Sequence, residues 1–351
     1  MSKYMVGSGT KAVGKLALDT HNSTIDLTSE SLSETYNYQS PESLLASKTV
    51  SSRDLQNITI EGSISALMRP ESIDWMLEAS LGKKGDFDAA EGLVEAHPGF
   101  MLASVNTDLP KSEIDIMRGT VGKVYKGLVA RSVTMNFPAQ EYATIDIDFV
   151  GNEAVTDTAH VNAAPNFTKP AFRVNHSKLV FAARDSSKTV DEQEQEMLLK
   201  CLEDACGEGY FDAENFNVSI DNGVESAPAT FCTGLFAGDA IMGKRSVTCD
   251  FTLPYSSDVE NFRKQFYAVN VANTEGAPDF MLAFICRNGN EALSVFIPSA
   301  HVTSIPVNVG GEGIIETTIS IEALDKIGEE PILIRHMKLV SSGSASSGST
   351  I

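Results

Sequence analysis

Between Asn57 and Gly82 the chain reads NITIEGSISALMRPESIDWMLEASLG, and its apolar positions change period partway along. Ile58, Ile60, Gly62, Ile64 and Ala66 alternate with Thr59, Glu61, Ser63 and Ser65, a period of two that predicts a strand with one apolar and one polar face. Pro70 ends it, because proline removes a ladder donor and fixes φ, and both properties suit the first turn of a helix. Glu71 adds negative charge at that N-terminus. Ile73, Met76, Leu77 and Leu81 then recur at helical spacing, and Gly82 is a natural residue to end the helix. A strand followed by a helix over 71–82 is the expected unit.

The same patterns mark out the rest of the chain. Residues 1–40 are polar and Ser/Thr-rich, with short alternations such as Ile25 to Thr28, and predict an arm with a strand or two. A loop is expected over 83–97, a strand at 98–105 and a polar turn around Pro110. Arg131 to Phe137 and Tyr142 to Val150 predict a hairpin; its second arm puts Ile145, Ile147 and Phe149 on one face and Asp146 and Asp148 on the other. Over 156–170 the composition shifts to Ala, Asn, Thr and Pro without periodicity, which reads as a linker. Beyond it come a strand at 179–183 and an acidic amphipathic helix over 189–206. A strand at 216–220 then ends in Asp221-Asn222-Gly223, a turn signal. The Ser/Gly-rich end, 339–351, reads as a flexible tail.

The two halves resemble one another. PGFMLASV at 98–105 matches PDFMLAFI at 278–285 in five of eight positions. The strand at 58–64 aligns with 247–253, the helix at 71–82 with 258–269, and Thr144 to Asp148 with Thr318 to Glu322. The expected fold is therefore mainly β: antiparallel sheets able to form a sandwich or barrel, each with a flanking helix, in two tandem similar domains at 1–155 and 171–338.

Charge and candidate chemistry narrow the function. There are 47 acidic and 27 basic residues, a formal charge of −20, which argues against a surface that grips nucleic acid. Five cysteines, all in the second half, fit a reduced intracellular chain better than a disulfide framework. No apolar run reads as a signal peptide or membrane span. Gly238 to Lys244 has phosphate-loop spacing, but Arg245 follows where magnesium ligation needs Ser or Thr, and 246–253 alternates as a strand. Cys201 and Cys206 lack partner ligands, and the six histidines are scattered. Asp146 and Asp148, two apart on an open strand face, read as solvated charges. No catalytic residue, metal or cofactor is expected.

The RPESIDWMLEASLG segment after its strand, the strand in GKRSVTCDFTLPYSS and the late strand in GEGIIETTISIEAL resemble the tail tube (major tail) proteins of long-tailed bacteriophages, over about residues 40–325. The resemblance implies β-sandwich domains whose sheets join into a continuous barrel, in rings that stack around a DNA channel. Single-domain members form hexameric rings, so two copies per chain imply a homotrimer with pseudo-sixfold symmetry. Partners would be further copies of the chain, the tape measure, terminator and baseplate proteins, and DNA in transit without specific binding; no membrane is involved. Location would be the virion tail, assembled in the host cytoplasm. Thr59, Glu61, Ser63, Asp146, Asp148, Thr248, Asp250, Thr252, Ser320 and Glu322 are expected to line the channel. Residues 1–24, 83–97, 106–116 and 185–210 interrupt the repeat and are expected to make contacts between rings or subunits. The alternative is another virion part: a tail terminator, a baseplate hub or a capsid decoration protein.

Overall fold

A computed structural model describes residues 11–16, 23–40, 53–87, 97–103, 108–118, 121–157, 167–174, 177–185, 187–202, 210–211, 213–227, 234–236, 238–257, 259–264, 280–307, 315–326 and 330–339. In the first half the strands are β1 (Lys11–Leu16), β2 (Ser23–Ile25), β3 (Leu27–Glu30), β4 (Ser33–Gln39) and β5 (Asp54–Leu67). Helix α1 (Ile73–Leu81) follows, then β6 (Gly82–Phe87), β7 (His97–Leu102), β8 (Ser112–Arg118), β9 (Val121–Pro138), β10 (Thr144–Gly151) and β11 (Glu153–Asp157). The alternation in β5 acts as expected, with Ile58, Ile60, Ile64 and Ala66 buried. Gly82 ends α1 in the left-handed region at φ 86°, its N–H bonded to the Glu78 carbonyl. Trp75 and Met76 are buried in the core. Glu71 does not act on the helix end alone, since its carboxylate accepts the backbone N–H groups of Thr168 and Lys169 at 3.0 and 2.7 Å. The end of the 156–170 segment is thereby docked onto α1; residues 158–166, like 340–351 of the expected tail, lie outside the described residues. The expected loop at 83–97 begins instead as a strand, because β6 pairs along its length with β7.

The second half contains β12 (Lys178–Ala183), α2 (Val190–Leu202), β13 (Tyr210–Phe211), β14 (Asn215–Asp221), β15 (Val224–Ala227), β16 (Gly238–Met242) and β17 (Ser246–Pro254). Helical residues at 257 and 259–264 precede β18 (Phe280–Asn288), β19 (Glu291–Ser304), β20 (Glu316–Ala323) and β21 (Leu333–Lys338). A capping box starts α2: Thr189 N–H donates to Glu192 Oε2 at 2.9 Å, and Glu192 N–H donates to Thr189 Oγ1 at 3.3 Å.

Pairing repeats between the halves. β1–β2, β1–β8, β8–β9, β9–β10, β9–β11, β10–β5 and β3–β5 recur in chain order as β12–β13, β12–β18, β18–β19, β19–β20, β19–β21, β17–β20 and β14–β17. Two details depart from the sequence alignment. The counterpart of β18 is β8, not the PGFML strand β7, which pairs with β6 and β21. Asp146 stands opposite Ser65 while Ser320 stands opposite Asp250, so if Asp146 matches Ser320, Asp250 matches Ser65 rather than Glu61. That shift is four residues, an even number, and it leaves each side chain on its expected face. Because β8 belongs to the repeat, the 106–116 segment interrupts it less than expected.

One sheet joins the halves, because β9 pairs with β14 from Ser132–Asp221 to Pro138–Asn215. Beneath the seam Phe137, Phe216 and Phe284 cluster at centroid distances of 4.6 to 5.9 Å, within the range of favourable aromatic pairs. The largest apolar cluster among the described residues draws on both halves, from Ile25 to Ile334, with smaller clusters beside α2 and around Leu109, Val129 and Val224. Asn222, fully buried, donates through Nδ2 to the carbonyls of Ser80 at 2.9 Å and Ala130 at 3.0 Å, tying the end of α1 to β9 at the seam. Asn222→Ala removes both bonds and is expected to lower stability by about 2–4 kcal/mol, read as a lower urea midpoint at unchanged slope.

Candidate functional site

The seam aligns the outer residues of eight strands, in the spatial order β3, β5, β10, β9, β14, β17, β20, β19. One row across them is Ser29, Ser65, Asp146, Thr134, Ser219, Thr248, Glu322 and His301. The next is Ser63, Asp148, Ser132, Asp221 and Ser246, flanked by Ser31, whose Oγ lies 3.1 Å from Ser63 Oγ. On the other side run Thr144, Asn136, Asn217, Asp250, Ser320 and Ser304. Residues one position along each strand, such as Ile64, Ile147, Val133, Ile220, Val247 and Ile321, are buried. This is the two-faced sheet that alternation demands when only one side meets a core.

All ten residues expected on the polar face are there. Glu61, Thr248 and Glu322 are exposed, and Thr59, Ser63, Asp146, Asp148, Asp250, Thr252 and Ser320 are half-buried. Most are brought together: Asp148 opposes Ser63, Asp250 opposes Ser320, and Thr252 Oγ1 lies 3.2 Å from Thr318 Oγ1. Thr59 stands apart, opposite Thr35 on β4 and beyond the last β10 contact at Ile60. Sequence reasoning missed the middle of the face, Ser132, Thr134 and Asn136 on β9 and Asn217, Ser219 and Asp221 on β14. Their alternation with Val133, Met135 and Phe137, and with Val218 and Ile220, carried the signal.

Arg131 had no such signal. A bulge between Asp148 and Phe149 leaves Ser132 and Ala130 as consecutive partners and Arg131 without one, which re-aims its side chain onto the polar face. Its Nε donates to Asp148 Oδ2 at 2.6 Å, and its Nη1 lies 3.7 Å from Glu61. The bond to Asp148 raises the guanidinium's hold on its proton. Asp146 is served separately, by Asn136 Nδ2 at 3.0 Å, so Asp146 and Asp148 do not form an acid–base pair. The face stays strongly negative, with Asp148, Glu61 and Asp221 around this arginine and Asp146, Asp250 and Glu322 elsewhere on the face.

Elsewhere the geometry offers little chemistry. Among the described residues no group of three or more His, Cys, Asp or Glu side chains could hold a metal ion, and no helix is long and apolar enough to cross a membrane. Gly238 to Met242 is a strand leading to another strand, not to a helix, as the rejected phosphate loop requires. His336 lies between Asp74, 2.6 Å from Nδ1, and Glu291, 3.1 Å from Nε2. Four residues far apart in sequence, these three and Lys169 on Glu291, thus bridge α1, β19 and β21. Cys201, Cys249 and Cys286 are buried and free, and burial pushes the Cys201 thiol up to about 12 and Cys286 up to about 11, with Cys249 raised likewise. In a variant keeping only these three thiols, Ellman's reagent at pH 8 should label none until the chain unfolds. Unfolded thiols ionise from about pH 8.5, so the stability that burial confers is complete below that pH and is lost as pH rises toward the folded values.

The sequence profile of the family described as phage tail tube protein matches residues 4–323 of the 351. No curated protein matches the chain.

Proposed function

Because the chain belongs to the phage tail tube protein family, a structural component of the virion tail, we propose that three copies close into a ring whose inner wall is this polar sheet face. The two units, 1–155 and 171–338, act as two tube domains, so a homotrimer has pseudo-sixfold symmetry. The observation that carries this reading is the eight-stranded sheet itself, two repeats of four strands in one register with one continuous polar face. Three copies contribute twenty-four strands. At a spacing of about 4.8 Å per strand, they enclose a barrel with a backbone diameter of about 37 Å, somewhat wider once strands tilt. That span admits a DNA duplex with its side-chain lining and water.

An acidic wall suits a conduit. Duplex DNA carries one charge per about 1.7 Å of axis, so a basic lining would hold it, whereas carboxylates and hydroxyls repel or weakly hydrate the phosphates. Thr59, Glu61, Ser63, Asp146, Asp148, Thr248, Asp250, Thr252, Ser320 and Glu322 are the proposed lining, with the β9 and β14 residues between them. Rings would stack through segments where the repeats differ, among them the 1–24 arm, the β6–β7 hairpin and the 185–210 insert containing α2. Tape measure, terminator and baseplate proteins would meet the tube in the assembling tail, in the host cytoplasm.

Negative-stain electron microscopy with mass by light scattering tests this. Hollow rings or tubes with three chains per ring are expected. A monomer that stays monomeric when concentrated and seeded with assembly partners would overturn the reading in favour of a decoration or baseplate role. Tubes with Asp146, Asp250 and Glu322 changed to Lys are expected to retain DNA at low salt and release it as salt rises, measured by co-sedimentation; wild-type tubes should retain none.

A further inference from the structure

The ring reading leaves open which edges meet, and the seam inside the chain supplies the answer. β9 is a long strand with two different neighbourhoods. Its first part, to Leu128, lies between β8 and β11; its later part lies between β10 and β14. β19 is built the same way at its start, between β18 and β21. Its later part has β20 on one edge. On the other edge, past the Phe280–Ala300 pair that ends β18, no strand lies among the described residues. At the far end of the sheet β3, the counterpart of β14, has β5 on one edge and likewise no described strand on the other.

We propose that β3 of one copy occupies the vacant edge of β19 of the next, antiparallel, repeating the β9–β14 junction between subunits; this rests on the ring reading. Strand directions agree. The eight strands alternate, so the two end strands run oppositely and join antiparallel when copies are related by rotation. Among the described residues neither outer edge has a strand partner, and an open edge offers backbone donors and acceptors that closing the ring satisfies and that otherwise invite uncontrolled association.

The register follows from the repeat. With Ser320 matched to Asp146, Ser304, which opposes Ser320, takes the place of Thr134, which opposes Asp146. Through Asp250 and Ser65, Asn217 takes the place of Ser29, and Ser219 that of Ser31. Thr134 opposes Ser219, their hydroxyl oxygens 3.3 Å apart. Ser304 therefore faces Ser31 of the neighbouring copy, again two hydroxyls on the polar face, and Ile305 faces the neighbour's Glu30. Pro306 lacks an N–H, so the ladder ends there. Gly62 at the start of the seam admits the close approach of β3: at φ 146°, an added Cβ would lie 2.5 Å from the Ser31 carbonyl oxygen.

Cysteine cross-linking in assembled particles tests the register. Ser31 and Ser304 are exposed, and facing residues of an antiparallel pair come within disulfide range. Oxidised rings of the Ser31→Cys/Ser304→Cys variant should run as covalent trimers on a non-reducing denaturing gel, with each single variant monomeric. Ser29→Cys/Ser304→Cys, two residues out of register, should link at least about tenfold less. In wild-type protein, amide exchange at 28–31 and 301–305 should slow on assembly. Rings visible by microscopy without those links and without that protection would overturn the seam and leave the ring reading standing. Links from Ser31→Cys alone would show β3 meeting β3, overturning it too. Absence of any ring would overturn both.

Discussion

Seven backbone-paired positions between β9 and β14 are the interaction on which this architecture depends. Without them the chain would be two small sheets, each with exposed edges and half a core. With them the hydrogen-bond ladder passes from one unit to the next in step, and Phe137, Phe216 and Phe284 close over the joint. The alignment of polar rows across eight strands is a consequence, because antiparallel register fixes every side chain's face at once. Asn222 and the His336 bridge to Asp74 and Glu291 then bind helix and sheet around the joint.

Much of this could be read from residue order. The alternations in β5, β10, β17 and β20, the proline and glycine that bound α1 and the turn at Asp221 to Gly223 each encode their structure locally, by sterics or by face. The ten polar-face residues emerged from the same alternation, since a residue's face needs only its neighbours. Register is different. A period-two pattern is unchanged by any even displacement, so the four-residue offset between β5 and β17 was invisible. The likeness of PGFML to PDFML joins strands in different places in the topology, β7 and β18, and their burial differs too: Phe100 is buried where Phe280 is half-buried, and Met281 is buried where Met101 is half-buried. β6, rich in Lys, Gly and Asp, carries no strand pattern, and pairing with β7 alone makes it one. The cluster of Asp74, Lys169, Glu291 and His336 is assembled from distant segments and has no sequence trace.

The family places the chain in the tail tube, and the sheet presents an acidic, hydroxyl-rich face. The carboxylates stand among Ser, Thr and Asn, side chains that hold water without adding charge.

Arg131 introduces an asymmetry between the two units. The second has no counterpart to it: Ala300, opposite Ala323, matches Ala130, opposite Phe149, so no bulged residue precedes His301, which takes the place of Ser132 beside Glu322. Fusing two units into one polypeptide lets them mutate separately, which six identical subunits cannot do. A ring of three such chains would carry a quenched cation every third of a turn rather than every sixth. A passing helical polyanion would then meet a corrugated potential with a threefold pitch, and phase rather than only total charge would become something natural selection can tune.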